Sequence, residues 1–331
     1  MTQPILQVED LTTEFETKRG RIRAVDGVSL AVGRGEILGL VGESGSGKSQ
    51  TGYSILNLVD APGRVVGGSI TLQGQRLDGL SESQWRHVRG KRIAMVFQDP
   101  MLTLNPVLRI ATQMIEAVQA HAAVSRTQAR EIARECLAKV GIPSPDERLA
   151  AYPHQFSGGM RQRVAIAIAL IHRPEVIIAD EPTTALDVTI QEQILYEVQK
   201  LARETGTAVV WITHDLSVVA GLADSVAVMY AGRIVERGPA REVLAQPAHP
   251  YTAGLLQSAP ARNARGVPLY QIPGNPPNLL QAGPGCAFRD RCARSRPACE
   301  VAPPPLMAEA REVRCFFPLV SLARPAEVAA A

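Results

Sequence analysis

The chain has 331 residues, 46% of them hydrophobic and 20% charged, with a net charge of +3. That is enough for one sizeable core and a smaller appendage, and it leaves no basic stripe of the kind that grips nucleic acid. Mean hydropathy is close to zero, and no run nears the roughly 20 apolar residues needed to cross a bilayer.

In chain order, Ile5–Val8, Val28–Leu30 and Ile37–Val41 read as short strands, with turn signals at Lys18–Gly20 and Gly33–Gly35. The opening, Met1–Leu11, carries Glu9 and Asp10 where a secretory signal would have a basic head and an apolar run, so the chain is expected to stay in the cytosol. Thr51–Leu58 has helical spacing, Ile70–Leu72 and Ile93–Phe97 read as strands, and 107–140 reads as an amphipathic helical insert. A helix is expected from Ser157 to Ile171, then strands at Val176–Ala179 and Ala208–Thr213 with the helix Val188–Glu204 between them. This alternation argues for a mainly parallel sheet covered by helices. A strand pair, Ser225–Tyr230 and Gly232–Glu236, turns at Ala231-Gly232. Beyond about residue 240 prolines accumulate (Pro247, Pro250, Pro260, Pro268, Pro273), which predicts a loop-rich region in need of another staple.

Gly42-Glu43-Ser44-Gly45-Ser46-Gly47-Lys48-Ser49 fits G-x-x-x-x-G-K-S/T between an expected strand and an expected helix. Its glycines let backbone N–H groups face phosphate oxygens at a helix start. Lys48 is expected to reach the β- and γ-phosphates, and Ser49 to ligate Mg²⁺. A glycine-rich helix cap would need neither the lysine nor the serine. The apolar strand Val176–Ala179 ends in Asp180 and Glu181, paired acids that are costly there unless a cation or water needs them. Asp180 is expected to accept the Mg²⁺, and Glu181 to polarise the attacking water.

These two motifs define a phosphate-loop NTPase. Phe156-Ser157-Gly158-Gly159-Met160-Arg161-Gln162-Arg163, about twenty residues before Asp180, resembles the signature motif of ABC ATPases. It is a second anion-binding helix start, with Ser157 as cap and Gly158 and Gly159 open to a phosphate. Met160 replaces the family's usual glutamine, which removes one possible polar contact. Gln98 resembles the glutamine loop that senses Mg²⁺ and the membrane partner, and Ala185-Leu186-Asp187 the loop that carries signals across the dimer. His214 resembles the switch histidine at the γ-phosphate, and Phe15 is a candidate for stacking on adenine.

The resemblance implies an α/β fold: a RecA-like phosphate-loop core, a helical ABC subdomain and a loop-rich C-terminal extension. The expected divisions are 1–98, 99–160, 161–240 and 241–331. His249-Pro250-Tyr251-Thr252 followed by Leu255-Leu256 looks like the motif after the ATPase domain in oligopeptide, dipeptide and nickel permease subunits. Tyr152–Met160 and Asp180–Gln191 look most like the dipeptide and oligopeptide subunits. That implies an ATP-hydrolysing motor of a peptide importer. Its implied partners are a second ATPase subunit, two membrane permeases and an extracytoplasmic binding protein, and its implied place is the cytoplasmic face of the inner membrane. Permease coupling helices would dock near Gln98–Pro106. Nickel or haem cargo is the alternative within the family. A soluble ABC protein of translation or DNA repair is the alternative outside it, although such proteins carry two cassettes or a coiled-coil insertion.

Cys136 stands alone in a helical stretch and reads as a small buried hydrophobe. Cys286, Cys292, Cys299 and Cys315 crowd the tail, with five, six and fifteen residues between them, unlike the short pairs of a zinc ribbon. Four thiolates could hold zinc or an iron–sulfur cluster, or remain free. The resemblance to the dipeptide-permease branch favours a 4Fe–4S cluster as the staple of the tail.

Overall fold

Apolar alternation near the start of the chain builds longer strands than the short runs suggest. The computed structural model describes residues 3–259, 263, 266, 268–281, 283–303, 306–308 and 310–320, residue 185 excepted. It opens with β1 (Leu6–Thr17) and β2 (Gly20–Val32), in which Leu6, Val8, Leu11 and Thr13 point to the interior. β3 (Ile37–Val41), buried throughout, leads into α1 (Lys48–Ile55). That helix stops short of the expected Leu58, because Leu56 caps it and Asn57 turns left-handed at φ 51°. β4 (Gly63–Leu72), β5 (Gln75–Arg76), α2 (Glu82–Val88) and β6 (Ile93–Val96) follow. The expected helical insert comprises α3 (Pro100–Thr103), α4 (Ile110–Gln119), α5 (Arg126–Lys139) and α6 (Pro145–Ala150). Next come α7 (Gly158–Leu170), β7 (Val176–Asp180), α8 (Val188–Thr205), β8 (Ala208–Thr213) and α9 (Leu216–Leu222). β9 (Ser225–Tyr230), β10 (Arg233–Pro239), α10 (Ala240–Ala245), α11 (Pro250–Ser258), β11 (Leu306–Ala308) and β12 (Arg311–Val313) complete the order.

The described residues gather into two compact units. The first takes its residues from 1–6, 32–37 and 73–211, the second from 7–31, 38–72 and 212–331. In the first unit β6 and β7 are parallel, registered Ile93↔Val176 through Val96↔Ala179. The half-buried pair Arg92–Glu175, at 2.7 Å, fixes where that register begins. α4 buries Ile110, Met114, Ile115 and Val118, and α5 buries Ala129, Ala133, Cys136 and Leu137, each with the helical spacing of a core face. The two pack together, and α5 also packs on α6 and α7. Cys136 is buried, as expected, and burial raises its thiol pKa.

In the second unit β3 and β9 are parallel, Leu38↔Ser225 to Val41↔Val228. β9 returns as β10 through a two-residue turn in which Ala231 (φ 48°) and Gly232 (φ 83°) are both left-handed, the geometry that matches strand twist. Among the described residues, the proline-rich stretch after α11 is mostly loop, as expected. Its two short strands extend the core sheet: β12 pairs antiparallel with β10 (Glu236↔Val313, Arg237↔Glu312), and β11 with β12. Two further contacts fasten it. Phe288 packs its ring 5.3 Å from Tyr230 and 5.4 Å from Tyr251. Arg311 reaches the fully buried Glu236 at 2.6 Å, and Glu236 also accepts from the N–H groups of Ala248 (2.8 Å) and His249 (2.9 Å). Hydrophobic burial and a satisfied carboxylate therefore supply much of the staple that the sequence calls for.

Candidate functional site

The loop 42–47 is shaped by its glycines and by what lies behind it. Gly47, the cap of α1, has φ 104°, and a Cβ there would lie 2.2 Å from the Ala24 carbonyl. Only glycine lets the chain enter α1 so close to that backbone. Gly232 of the β9–β10 turn donates its N–H to Ser46 O (2.9 Å) and accepts from Asp26 N–H (2.9 Å), so the hairpin tip props the loop. Lys48 is buried, and its Nζ donates to the carbonyls of Gly42 (2.9 Å) and Glu43 (3.0 Å), spanning the loop mouth. Ser46 Oγ is buried and has no hydrogen-bond partner among the described residues. A short helix start with an inward lysine and an unsatisfied hydroxyl can hold a phosphate. Ser49 sits half-buried one residue into the helix. In the same unit, His214 follows β8 and is exposed, and Asp215 after it caps α9 through Ser217 N–H (2.8 Å). Phe15 is half-buried and lies so close to Gly63 that a Cβ there would meet its ring at 2.5 Å.

The acidic site belongs to the first unit. Asp180, the last residue of β7, is buried. Glu181 follows at φ 43°, a left-handed conformation that a non-glycine residue holds only under constraint. Its Oε2 accepts from Thr184 Oγ1 (3.0 Å) and from Gln98 Nε2 (3.5 Å). The strand register explains the second contact: with Val96 opposite Ala179, two further residues bring Gln98 beside Glu181. Two expected site residues from distant parts of the sequence thus meet. Water or a cation beside them would face a carboxylate and a carboxamide.

At the start of α7, Ser157 Oγ accepts from Met160 N–H (3.3 Å), the expected cap, and Ser157 and Gly158 are exposed. Gly159 has a second reason to be glycine, since a Cβ there would lie 2.7 Å from Ile190 Cγ2 of α8. Asp187 caps α8 by accepting from Ile190 N–H (3.0 Å). Ala185, expected in the same loop, lies outside the described residues, as does Pro260.

In the C-terminal region Cys286, Cys292, Cys299 and Cys315 line one cavity, together with His249, Phe288 and Phe317. Cys286 N–H donates to Cys299 O (2.9 Å), tying two of the cysteine backbones together. Burial raises the Cys286 thiol pKa and pushes that of Cys315 up to about 11, and the neighbouring cysteines add to both shifts. His249 Nδ1 accepts from Tyr251 N–H (3.0 Å), which leaves the ring proton on Nε2. That Nε2 is buried without a partner among the described residues, and burial lowers the ring pKa to about 3. Four thiols and one unanswered N–H donor suit an anionic occupant such as a thiolate-bound metal centre. Among the described residues, however, no group of three His, Cys, Asp or Glu side chains is placed to hold a metal ion.

The family model for ABC transporters matches residues 25–184, and that for the oligopeptide/dipeptide transporter C-terminal region matches 235–299. The oligopeptide transport ATP-binding protein OppD of Salmonella typhimurium is 47% identical over 319 residues, covering 96% of this chain and 95% of that protein. The chain belongs to the ABC transporter ATP-binding family. The dipeptide transport ATP-binding protein DppD of Bacillus subtilis is 46% identical, covering 95% of each chain. Among solved structures, a dimeric post-hydrolysis ATP-binding cassette bound to ADP and Pi matches with a TM-score of 0.64 and 29% identity, over 71% of this chain and 99% of that one. The cassette cbiO1 of Clostridium perfringens matches with a TM-score of 0.62 and 27% identity, over 74% of this chain and 92% of that one.

This ABC ATPase thus has the expected α/β phosphate-loop fold. As an ATPase coupled to transport it is expected to use ATP with Mg²⁺. No helix among the described residues is long and apolar enough to cross a membrane. Sequence reasoning did not foresee the partners of Glu43. Its N–H donates to Tyr251 Oη (2.8 Å), and its carboxylate accepts both terminal nitrogens of Arg291 (2.7 and 3.0 Å). Nothing local marks an arginine 248 residues away as a neighbour of the phosphate loop.

Proposed function

We propose that this chain is one of two motor subunits of an importer of di- and oligopeptides, placed on the cytoplasmic face of the inner membrane. It would work with a second ATPase subunit, two permeases and a substrate-binding protein. The observation that carries the reading is the near-full-length similarity to OppD and DppD, joined to a C-terminal match in the same group. No observation favours nickel or haem cargo, or a role away from transport.

In this reading Gly42–Ser49 cradles the triphosphate, with Lys48 at the β- and γ-phosphates. Ser49, Asp180 and Gln98 serve Mg²⁺. Glu181 takes or orients a proton of the attacking water, His214 contacts the γ-phosphate, and Asp187 lies in the loop that signals across the dimer. Phe15, left partly exposed, offers its ring to adenine. The start of α7, Ser157–Met160, in which Ser157 and Gly158 are exposed, completes the partner's nucleotide site, and the partner's completes this one. Closure follows because ATP binds the closed dimer better than ADP does, and only such a difference moves the equilibrium. The strained Glu181 with its Gln98 contact supports a hydrolytic centre.

For the cysteines we propose a 4Fe–4S cluster. A single zinc holds its thiolates about 3.8 Å apart, from Zn–S bonds near 2.3 Å, whereas a cluster gives each iron its own cysteine and spaces the sulfurs more widely. The support for the proposal is that the four cysteines line one cavity. When bound, it would add a cross-link to the tail, with Cys286, Cys292, Cys299 and Cys315 as ligands and the His249 Nε2–H as a donor to it. Anaerobic purification should yield iron and sulfide with a brown colour that Cys292→Ser loses; stoichiometric zinc would overturn this assignment.

The test of the transport reading is co-purification with the neighbouring permeases in proteoliposomes. Peptide presented by the binding protein should stimulate ATP hydrolysis, and Lys48→Ala should abolish it. Stimulation by another cargo, with peptide inert, would refute peptide import.

A further inference from the structure

Glu43 is an odd residue for a phosphate cradle, since a carboxylate beside an incoming polyanion weakens binding unless it is neutralised. Here it is neutralised from the far end of the chain. The Arg291 guanidinium, buried with 6% side-chain exposure, forks onto both carboxylate oxygens at 2.7 and 3.0 Å. Its other donors go to Tyr230 Oη (3.2 Å) and the Pro273 carbonyl (2.9 Å), so the fork is held in one orientation. Tyr251 takes the Glu43 N–H at 2.8 Å. The Glu43 carbonyl meanwhile accepts from Lys48 Nζ (3.0 Å) and Ser46 N–H (3.2 Å), so the residue that receives both outside tethers also organises the loop. Both tethers adjoin the cysteine cavity: Arg291 immediately precedes Cys292, and Tyr251, on α11, donates its N–H to His249, which lines that cavity.

We propose that Arg291 and Tyr251 are positioning residues for the phosphate loop, acting through Glu43 to set nucleotide affinity and so coupling the loop to the four-cysteine segment. The proposal rests on the reading of Gly42–Ser49 as the nucleotide cradle. Removing Arg291 leaves an unneutralised carboxylate at the loop, and removing the Tyr251 hydroxyl frees the Glu43 N–H. Coupling is reciprocal, so bound nucleotide also steadies the cysteine segment.

The test is equilibrium binding of a fluorescent ATP analogue to the full chain, with no turnover readout. Arg291→Ala should weaken binding about tenfold, within the range of ordinary coupling between sites. Arg291→Lys keeps the charge without the fork and should fall between the two, and Tyr251→Phe should weaken binding several-fold, in the lower part of that range. In a Glu43→Ala background the Arg291→Ala change should cost less than about twofold, because its target is gone. A merely structural arginine would lower the melting temperature and weaken binding equally in both backgrounds, and that result would overturn the proposal. So would unaltered affinity in folded Arg291→Ala and Arg291→Lys. As the second readout, the nucleotide should slow amide hydrogen exchange in the 286–299 segment in wild type but not in Glu43→Ala; equal protection in both would also overturn it. Lys48→Ala is the control for the cradle: if it still binds the analogue, the underlying reading fails, and not the clasp.

Discussion

Replacing Gly159 by alanine puts the two reasons for that glycine in conflict. The new Cβ would stand 2.7 Å from Ile190 Cγ2, against ordinary contacts of 3.4–4 Å, so α7 and α8 must part by at least about 0.7 Å or Ile190 must leave its rotamer. Overpacking of this kind costs about 1–3 kcal/mol, while alanine in a helix regains up to about 1 kcal/mol relative to glycine. A net loss of about 1–2 kcal/mol is expected. For a chain of 331 residues unfolding as one, this lowers the melting temperature by only about 1–3 °C, so urea titration is the better assay. Ile190→Ala in the same chain removes the obstructing methyl, and the double variant should recover the overpacking loss when compared with Ile190→Ala alone. ATP hydrolysis by the assembled transporter should stay depressed in the double variant, because the added methyl still stands at the exposed helix start. A Gly159→Ala chain more stable than wild type would refute the packing argument, and full recovery of hydrolysis on adding Ile190→Ala would confine Gly159 to packing.

Three other outcomes are expected. Arg311→Ala strands the Glu236 carboxylate in the interior with two backbone N–H donors and should cost about 3 kcal/mol, the lower end for a broken buried pair; a loss under about 1 kcal/mol by urea unfolding would show the pair to be worth no more than a surface one. In the chain without a bound cluster, the His249 ring is held neutral down to about pH 3 when folded but takes a proton near 6.5 when unfolded, so its contribution is whole above 6.5 and is lost as pH falls toward 3. At pH 5 this amounts to about 2 kcal/mol; His249→Asn, which can still cap α11, should flatten that slope, and an unchanged slope would contradict it. Lys48→Ala should lose ATP binding while Glu181→Gln retains ATP without turnover; unchanged turnover in Glu181→Gln would remove its hydrolytic role.

Much of the site was legible because its parts are local. The loop 42–49, the strand ending at Asp180 and the cap at Ser157 each declare themselves within eight or so consecutive residues, where turn geometry and helix capping leave few residue choices. Strand pairing is less local, yet the Gln98–Glu181 contact follows once β6 and β7 are known to lie in parallel register. What stayed hidden depends on pairs of residues with no pattern of their own. Arg291 with Glu43, Arg311 with Glu236 and Gly159 with Ile190 are contacts between segments whose separate sequences look ordinary. The tail looked too poor in regular structure to hold itself, because the pairing of β12 with β10 and the stacking of Phe288 use three residues and one ring, too little to register as a pattern.

The proposed motor grips each nucleotide from two polypeptides. The direct measurement is the distance from Ser157 and Gly158 to the γ-phosphate held by the partner ATPase subunit, in the Glu181→Gln transporter loaded with Mg²⁺ and ATP. Hydrogen-bonding distance is the expected result. If these residues remain remote from every triphosphate in each state captured, the motor mechanism is contradicted.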